Sequence, residues 1–228
     1  MLERTSRTTS RGRTWASCCA ALIAVTLIVL QFAATRFPTW LPPEWFLALD
    51  EPLLALAGLA AVLCIHDGEA PLLGFRLAPL QGWLYWVRTA LWFGAAIALL
   101  LVVCSAFWIL VGWQIPLPPQ PTNLAMKLFW MCCYAPLVEE VVFRSLLTAA
   151  VYPLLGERGT IVASGVVFAL IHVIGGNPGP DNQVAGFLLE WAFLRSGTIL
   201  VPLAMHAAGN LIAFGVHIAS WHWLASLA

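Results

Sequence analysis

Long apolar runs recur along this chain, and they constrain its fold more than any other feature of the sequence. Residues 15–34 form the first run, and residues 89–113 form a longer one. About 20 apolar residues in a helix are enough to cross the hydrocarbon core of a membrane. Only 10% of the residues are charged and 61% are hydrophobic, whereas soluble domains have roughly a quarter of their residues charged. The sequence therefore predicts a polytopic integral membrane protein.

Proline- and glycine-rich breaks divide the chain into seven predicted spans, or eight if the last apolar stretch is split. The predicted fold class is all-α, a transmembrane bundle of seven to eight helices. The spans are placed at residues 15–34, about 52–66, 89–113, 124–155, 160–174, 183–194 and 198–228. Three regions follow from this division: a basic N-terminal segment (1–14), N-terminal transmembrane helices (15–123) and a transmembrane core (124–228).

The arginines predict the orientation of these spans. A cluster of four arginines precedes the first span, which we interpret as an uncleaved signal anchor with a cytosolic N-terminus. Alternating the spans from there puts loop 175–182, which has no Lys or Arg, outside. The expected location is a bacterial-type plasma (inner) membrane, with membrane lipids as partners. The formal net charge of zero argues against a nucleic-acid partner. The residues expected on the cytosolic side are Arg4, Arg7, Arg11, Arg13, Arg76, Arg88, Arg144, Arg158 and Arg195.

Several ionisable residues lie inside the predicted spans, where each costs about 2.5–3.5 kcal/mol to insert and therefore calls for a function. Glu140 and Arg144 are four residues apart and can pair on one helix face, while Glu139 is rotated by about 100°. Phe168 and His172 share a face of the next span, and His206 shares one with Asn210 four residues later.

These residue types can hydrolyse a peptide bond. A carboxylate beside an imidazole can take a proton from water, and the hydroxide can attack a carbonyl. Neutral donors such as His and Asn can stabilise the oxyanion. The bland interpretation is that single His or Asn side chains only join helices by hydrogen bonds. We expect an interfacial role for His217 and His222, and Glu190 could be a structural partner or a substrate contact.

Other protease motifs are missing. The chain has no H-E-x-x-H and no G-x-G-D, and Val162 precedes Ala163-Ser164-Gly165 where a rhomboid-type G-x-S-G needs Gly. The six cysteines form no C-x-x-C pair and are interpreted as apolar packing residues. A zinc site at Glu139, His172 and His206 is a lower-ranked alternative; otherwise no cofactor is expected.

The three motifs together resemble the CPBP family, the CAAX-protease and bacteriocin-processing group also called Abi proteins, which includes CAAX prenyl protease 2. The motifs are Glu139-Glu140-Val-Val-Phe-Arg144, Phe168-Ala-Leu-Ile-His172 and His206-Ala-Ala-Gly-Asn210. The resemblance covers residues 124–214 and implies an eight-helix bundle with a cavity opening toward the cytosol. It implies no metal in the favoured mechanism, although family members have been called both metalloproteases and glutamic proteases.

The resemblance also implies a role for each matched residue. Glu139 and His172 would activate the attacking water, and His206 with Asn210 would stabilise the oxyanion. Glu140, Arg144 and Phe168 would order the site. The implied activity is an intramembrane endopeptidase acting on protein or peptide substrates, of unspecified sequence. The alternatives are a catalytically silent scaffold or immunity protein with the same fold, and a proton-coupled transporter.

Overall fold

A computed structural model describes residues 2–36, 51–65, 73–112 and 118–226 of the chain. The predicted link at 37–45 lies outside the described residues, as does the end of the second predicted span at His66. The described residues contain helices and no strands, which confirms the all-α class. The helices are α1 Leu2–Arg36, α2 Glu51–Ile65, α3 Trp83–Leu110, α4 Leu124–Phe129, α5 Ala135–Glu140, α6 Thr148–Ile174, α7 Pro180–Ser196 and α8 Leu200–Ala225.

Three described segments are long and apolar enough to cross a membrane. They are Trp83–Leu110, Leu124–Ile174 and Leu200–Trp223. Two shorter apolar helices, Thr14–Leu30 and Pro52–Ile65, accompany them. The protein is therefore an integral membrane protein, and the count of seven to eight spans stays a prediction. Because α8 is unbroken from Leu200 to Ala225, the last predicted stretch is one helix rather than two.

The segment Leu124–Ile174 folds back on itself at Gly156. This glycine has φ 65° and ψ −174°, a backbone conformation that other residues rarely adopt. The sequence predicts a break over residues 156–159, but the helix resumes directly after Gly156 because Glu157, Arg158 and Gly159 all have helical backbones. Phe143 packs against Phe168 across the resulting antiparallel hairpin, with ring centroids 5.1 Å apart.

Two π-helical stretches interrupt the first arm of this hairpin, at Trp130–Tyr134 and Val141–Leu147. In the first, the Ala135 N–H donates to the Trp130 carbonyl, five residues back. The next N–H would reach Met131, but residue 136 is proline and has no N–H. The Met131 carbonyl is thus left open for a partner from another helix. Such π-helical turns are frequent at functional sites.

Helices α6 and α7 approach closely through two glycines. A Cβ built on Gly186 would lie 3.1 Å from the Gly165 Cα and 2.7 Å from the Phe168 Cβ. Small residues at such a crossing let two backbones pack directly in a membrane. The near-match to a serine-protease motif at residues 163–165 therefore belongs to helix packing.

The loop before α3 packs against the turn between α7 and α8. The Leu80 N–H donates to the Ser196 carbonyl at 2.9 Å, and the Ile199 N–H donates to the Gly74 carbonyl at 2.8 Å. Arg195 pairs with Glu157 at 3.0 Å, which adds the Gly156 turn to the same end. We call this the arginine end of the bundle. The opposite end carries the loop after α6 and is called the Gly175 end.

Helix α1 runs between these two ends. About halfway along it, the Cys18 thiol donates to the Ala150 carbonyl, six residues before the Gly156 turn. Farther along, Ala24 packs against Gly58 of α2. Near its end, Phe32 lies 3.7 Å from the position that a Cβ on Gly175 would take. The first helix therefore begins at the arginine end and finishes at the Gly175 end.

Candidate active site

A buried ionic network lies at the centre of the bundle. The Arg144 Nε donates to Glu140 Oε2 at 2.8 Å, which confirms the pairing expected from their spacing. Its Nη1 donates to Ser164 Oγ at 2.8 Å and to Glu190 Oε2 at 3.1 Å. The Thr148 hydroxyl donates to the other oxygen of Glu190 at 2.7 Å. All five side chains are fully buried.

The ion pairs and hydrogen bonds of the network offset the free-energy cost of burying charged side chains. An unpaired buried ion is strongly unfavourable, whereas one with opposite charges and hydrogen bonds on several sides is tolerated. Arg144 also lies 5.8 Å from the Phe143 ring centroid and 5.6 Å from that of Phe168, within the range of cation–π attraction. Glu190 is consequently a structural partner of Arg144, which decides between the two roles open at the sequence level.

Glu140 connects the ionic network to His206 on α8. Its Oε2 accepts from Arg144, and its Oε1 accepts from His206 Nδ1 at 2.8 Å. With both oxygens engaged and no exposed surface, Glu140 has no free position for water or substrate. Since a carboxylate only accepts, the proton of this hydrogen bond sits on the His206 Nδ1. The other ring nitrogen, Nε2, then points away from the network.

Glu139, the neighbour of Glu140, lies on an adjacent face of the helix and reaches the other nitrogen of the same histidine ring. Its side chain is 28% exposed, and its Oε2 lies 3.8 Å from His206 Nε2. That oxygen is shielded and makes no hydrogen bond with the described residues. An unsatisfied carboxylate oxygen in this setting is costly unless something else uses it. The two adjacent acids therefore differ: Glu140 is occupied and Glu139 is available.

His172 is held by its own helix and by Phe168. Its Nδ1 donates to the Phe168 carbonyl at 2.9 Å. Because a carbonyl cannot donate, the neutral ring keeps an unprotonated Nε2. Its ring stacks on the Phe168 ring at 4.3 Å, with 25° between the planes. Phe168 also meets His206 edge-on at 5.9 Å, so one buried aromatic ring orients both imidazoles.

Asn210 lies one turn beyond His206 on α8. Its Nδ2 donates at 2.6 Å to the Met131 carbonyl, the acceptor left open by the π-helical turn before Pro136. An amide nitrogen has two N–H bonds, so the second remains available. The irregular backbone of the first arm thus positions a donor from α8.

An apolar cavity of about 270 Å³ adjoins Glu139 and His172. It lies between α1, the first arm of the hairpin and the end of α6, and it extends to Gly175 and Asn177 in the exposed loop. Its walls are almost entirely aliphatic and aromatic, which suits a mostly apolar binding site with a few polar groups. The apolar lining residues are Val25, Ile28, Val29, Phe32, Val138, Val142, Phe143, Val167 and Ile171.

The structure thus gathers the residues singled out in the three motifs. Glu139 and His172 line the cavity, the buried His206 lies 3.8 Å from Glu139, and Asn210 is one helical turn beyond His206. Sequence reasoning missed Ser164 and Thr148, and left Glu190 undecided. The sequence did contain a signal for all three residues, because a hydroxyl or carboxylate inside an apolar span needs a hydrogen-bond partner. That signal does not identify the partner.

The zinc alternative from the sequence concerns Glu139, His172 and His206. Among the side chains that the structure describes, no group of three or more His, Cys, Asp or Glu is arranged to hold a metal ion. The alternative zinc set of Glu139, His172 and His206 is not among such groups in the described arrangement.

The apolar helices and the buried polar site define an integral membrane protein with a candidate hydrolytic centre inside the bundle. Residues 121–212 match the model of the Rce1-like family, described as type II CAAX prenyl endopeptidase Rce1-like. The match spans α4 to α8 and includes every candidate site residue. No curated protein and no solved structure matches the chain significantly. The family match confirms the resemblance found from the motifs and indicates a membrane protease of the CAAX type.

Proposed function

We propose that this protein is an intramembrane endopeptidase in which Glu139 and His172 activate water for attack on a peptide bond. One observation carries the proposal: Glu139 has an available carboxylate beside an apolar cavity, whereas Glu140 is completely engaged. The cavity supplies space for substrate next to the acid, and the family match supplies the reaction class.

In the proposed reaction, water lies between the Glu139 carboxylate and the His172 Nε2. The carboxylate takes one proton, and the lone pair of Nε2 accepts a hydrogen bond from the other O–H. The hydroxide oxygen adds to the carbonyl carbon, and the carbonyl oxygen becomes an oxyanion. When the C–N bond breaks, protonated Glu139 returns its proton to the leaving amine. Atoms and charge balance without any further reactant.

The oxyanion is stabilised from α8. Glu140 accepts from His206 Nδ1 and holds the ring with its Nε2 toward Glu139. When the ring carries a proton on Nε2 as well, that N–H can donate to the oxyanion. The free N–H of Asn210 provides a second donor one turn away. Donors held in place before the reaction avoid reorganisation and each lower the barrier by about 3–4 kcal/mol.

The ionic network supports these donors without touching the substrate. Arg144 fixes Glu140, and Glu190 with Ser164 fixes Arg144. The network is shielded from bulk solvent, since its members have no exposed surface. Electrostatic interactions are stronger in such surroundings than in water. These residues position the site and are not catalytic.

The test compares membranes containing wild type, Glu139→Gln or Glu157→Gln by mass spectrometry of peptides and truncated proteins. Glu157 is a matched control because it is an exposed acid whose only described ionic partner is Arg195. Cleavage products should appear with wild type and Glu157→Gln and be missing with Glu139→Gln. Identical profiles for all three folded proteins would contradict the proposal and favour the silent scaffold. Proton-coupled uptake in proteoliposomes, lost on neutralising Glu140, would instead favour the transporter.

A further inference from the structure

A short loop from outside the family-matched region packs into the half of the bundle that carries the candidate site. Residues 73–81 precede α3, whereas the family match covers residues 121–212. We call residues 73–81 the strap. Its first residue, Leu73, is fully buried and belongs to the same apolar core as Phe143 and Leu146. The strap is therefore part of the packed interior, although it is a loop.

The first contact of the strap is with the π-helical stretch Val141–Leu147. The Ser145 hydroxyl donates to the Leu73 carbonyl at 3.0 Å, and both residues have no exposed surface. A buried backbone carbonyl without a donor is costly, so this hydrogen bond ties the strap to that stretch. Ser145 directly follows Arg144, the residue that fixes Glu140.

The second contact is with the C-terminal end of α7, the helix that carries Glu190. The last carbonyls of a helix have no partner within the helix, and the strap supplies two donors for them. The Leu80 N–H donates to the Ser196 carbonyl at 2.9 Å. The Gln81 Nε2 donates to the Arg195 carbonyl at 2.8 Å. The strap thus caps α7.

The third contact is with the start of α8, the helix on which both candidate oxyanion donors lie. The Ile199 N–H donates to the Gly74 carbonyl at 2.8 Å. The fully buried Thr198 donates its hydroxyl proton to the Arg76 carbonyl, and its oxygen accepts from the Leu200 N–H at 3.2 Å. One side chain therefore joins the strap to the first residue of α8.

The strap lies too close to these helices for most residues at position 74. Gly74 has φ +73°, a backbone conformation that other residues rarely adopt. A Cβ on Gly74 would overlap the ring of Phe193 in α7 and would lie 3.0 Å from the Ile199 nitrogen. The position of the strap is consequently fixed by direct packing as well as by hydrogen bonds.

These contacts join the two elements whose separation determines the geometry of the site. Glu140 on the first arm and His206 on α8 meet at 2.8 Å. Ser145 is five residues beyond Glu140, or about 8 Å along the helix. Thr198 is eight residues before His206, or about 12 Å along the chain. Both anchors of the strap therefore lie within about two helical turns of that hydrogen bond.

We infer that the strap is a positioning element that sets where the His206 ring stands relative to Glu139 and Glu140. The family-matched residues 121–212 are thus completed by a loop that lies outside them. The effect on catalysis rests on the proposed function, whereas the effect on the histidine does not. A displacement of about 1 Å at a catalytic centre can lower the rate by about 10²-fold. A loosened strap should therefore reduce kcat, while the strap residues themselves touch no reacting atom.

The test removes one hydroxyl from the full chain. Thr198→Val keeps the shape of the side chain and loses both hydrogen bonds of the hydroxyl, whereas Thr198→Ser retains a hydroxyl. Thr160→Val is the matched control, because the buried Thr160 hydroxyl donates to the Gly156 carbonyl of its own helix. If Thr198→Val is not monodisperse in detergent, Gln81→Ala replaces it, since Gln81 is exposed and its loss leaves no buried group unpaired.

The first readout is NMR of the His206 ring nitrogens, observed through the carbon-bound ring protons of protein labelled with nitrogen-15 histidine. The signals are assigned by their absence from His206→Gln. In wild type they should show the proton on Nδ1 that Glu140 accepts. They should shift in Thr198→Val and stay in place in Thr198→Ser and Thr160→Val. Unchanged His206 signals in the folded strap variant would overturn the inference, with or without protease activity.

The second readout is the kinetics of cleavage of one substrate peptide. Thr198→Val should lower kcat by about 10–100-fold with KM nearly unchanged, as expected for a misplaced catalytic group. Thr198→Ser should restore the wild-type kcat, and Thr160→Val should not lower it. Equal kcat for wild type and the folded strap variant would also overturn the inference. A wild type that cleaves nothing would instead overturn the proposed function, and the NMR signals alone would then decide on the strap.

Discussion

The Nδ1 atom of His206 lies 2.8 Å from Oε1 of Glu140, a carboxylate that is itself fixed by Arg144 on the other oxygen. The ring is thereby locked with Nε2 toward Glu139, 3.8 Å away. Two adjacent acids therefore reach the same histidine from different sides and with different freedom. This relationship is the basis for assigning a positioning role to Glu140 and a chemical role to Glu139.

Arg144→Leu should destabilise the protein strongly. Removing the cation leaves Glu140 and Glu190 buried without their partner, a change that typically costs about 3–5 kcal/mol. Arg195→Leu is the matched control, since its ion pair with Glu157 is half-exposed and such pairs contribute about 0–1 kcal/mol. Thermal unfolding in detergent measures both. Equal melting temperatures for the two variants would contradict the structural role of the network.

Asn210→Ala should lower kcat and leave KM nearly unchanged, because the lost donor acts on the oxyanion and not on bound substrate. Removal of one oxyanion donor typically lowers kcat by about 10²–10³-fold. His217→Ala on the same helix is the control, as its side chain lies two turns farther along α8 and outside the site. A rise in KM at constant kcat would assign Asn210 to substrate binding instead.

Gly186→Ala should reduce both stability and activity. The added methyl group would press on Phe168 and on the Gly165 backbone, and overpacking of this kind costs about 1–3 kcal/mol. Because Phe168 orients His172 and His206, kcat should fall as well. Gly215→Ala is the control, since a Cβ there meets nothing within 4 Å and alanine favours a helix. Equal stability and equal kcat for the two variants would contradict a role for the close approach of α6 and α7.

Treatment with a strong chelator should leave cleavage intact. The proposed route uses Glu139 and His172 directly and needs no Lewis acid. The measurement is the cleavage rate after dialysis against 1,10-phenanthroline or EDTA, with a zinc protease treated in parallel to prove that the chelator works. Loss of activity that zinc restores would replace the proposed route with a metal-dependent one.

Much of the fold could be predicted from the sequence because long apolar runs have few alternatives in a membrane. The predicted break at residues 156–159 contains the observed turn, although only Gly156 leaves the helical conformation. The pairing of Glu140 with Arg144 followed from helical spacing. The π-helical turns were not predictable, since they depend on which carbonyls other helices occupy, as the Met131 carbonyl shows.

The candidate site was predictable as a set of residues and much less so as a geometry. Spacing put Glu139 and Glu140 on neighbouring faces but could not say which face met α8. That depends on how Gly165 and Gly186 bring α6 and α7 together. The contact between Arg144 and Glu190 joins two residues that are 46 positions apart in sequence. Local periodicity cannot predict a contact over that separation.

The most direct test of the account compares the cleavage rate of purified wild type with that of Glu139→Gln, Glu140→Gln and Glu157→Gln on one substrate peptide. The account predicts that Glu139→Gln keeps the wild-type melting temperature and loses at least about 10²-fold in rate, as expected for a missing general base. Glu140→Gln should lose both stability and rate, and Glu157→Gln should lose neither. Full turnover by folded Glu139→Gln, with a dead but equally stable Glu140→Gln, would contradict the assignment of the two acids.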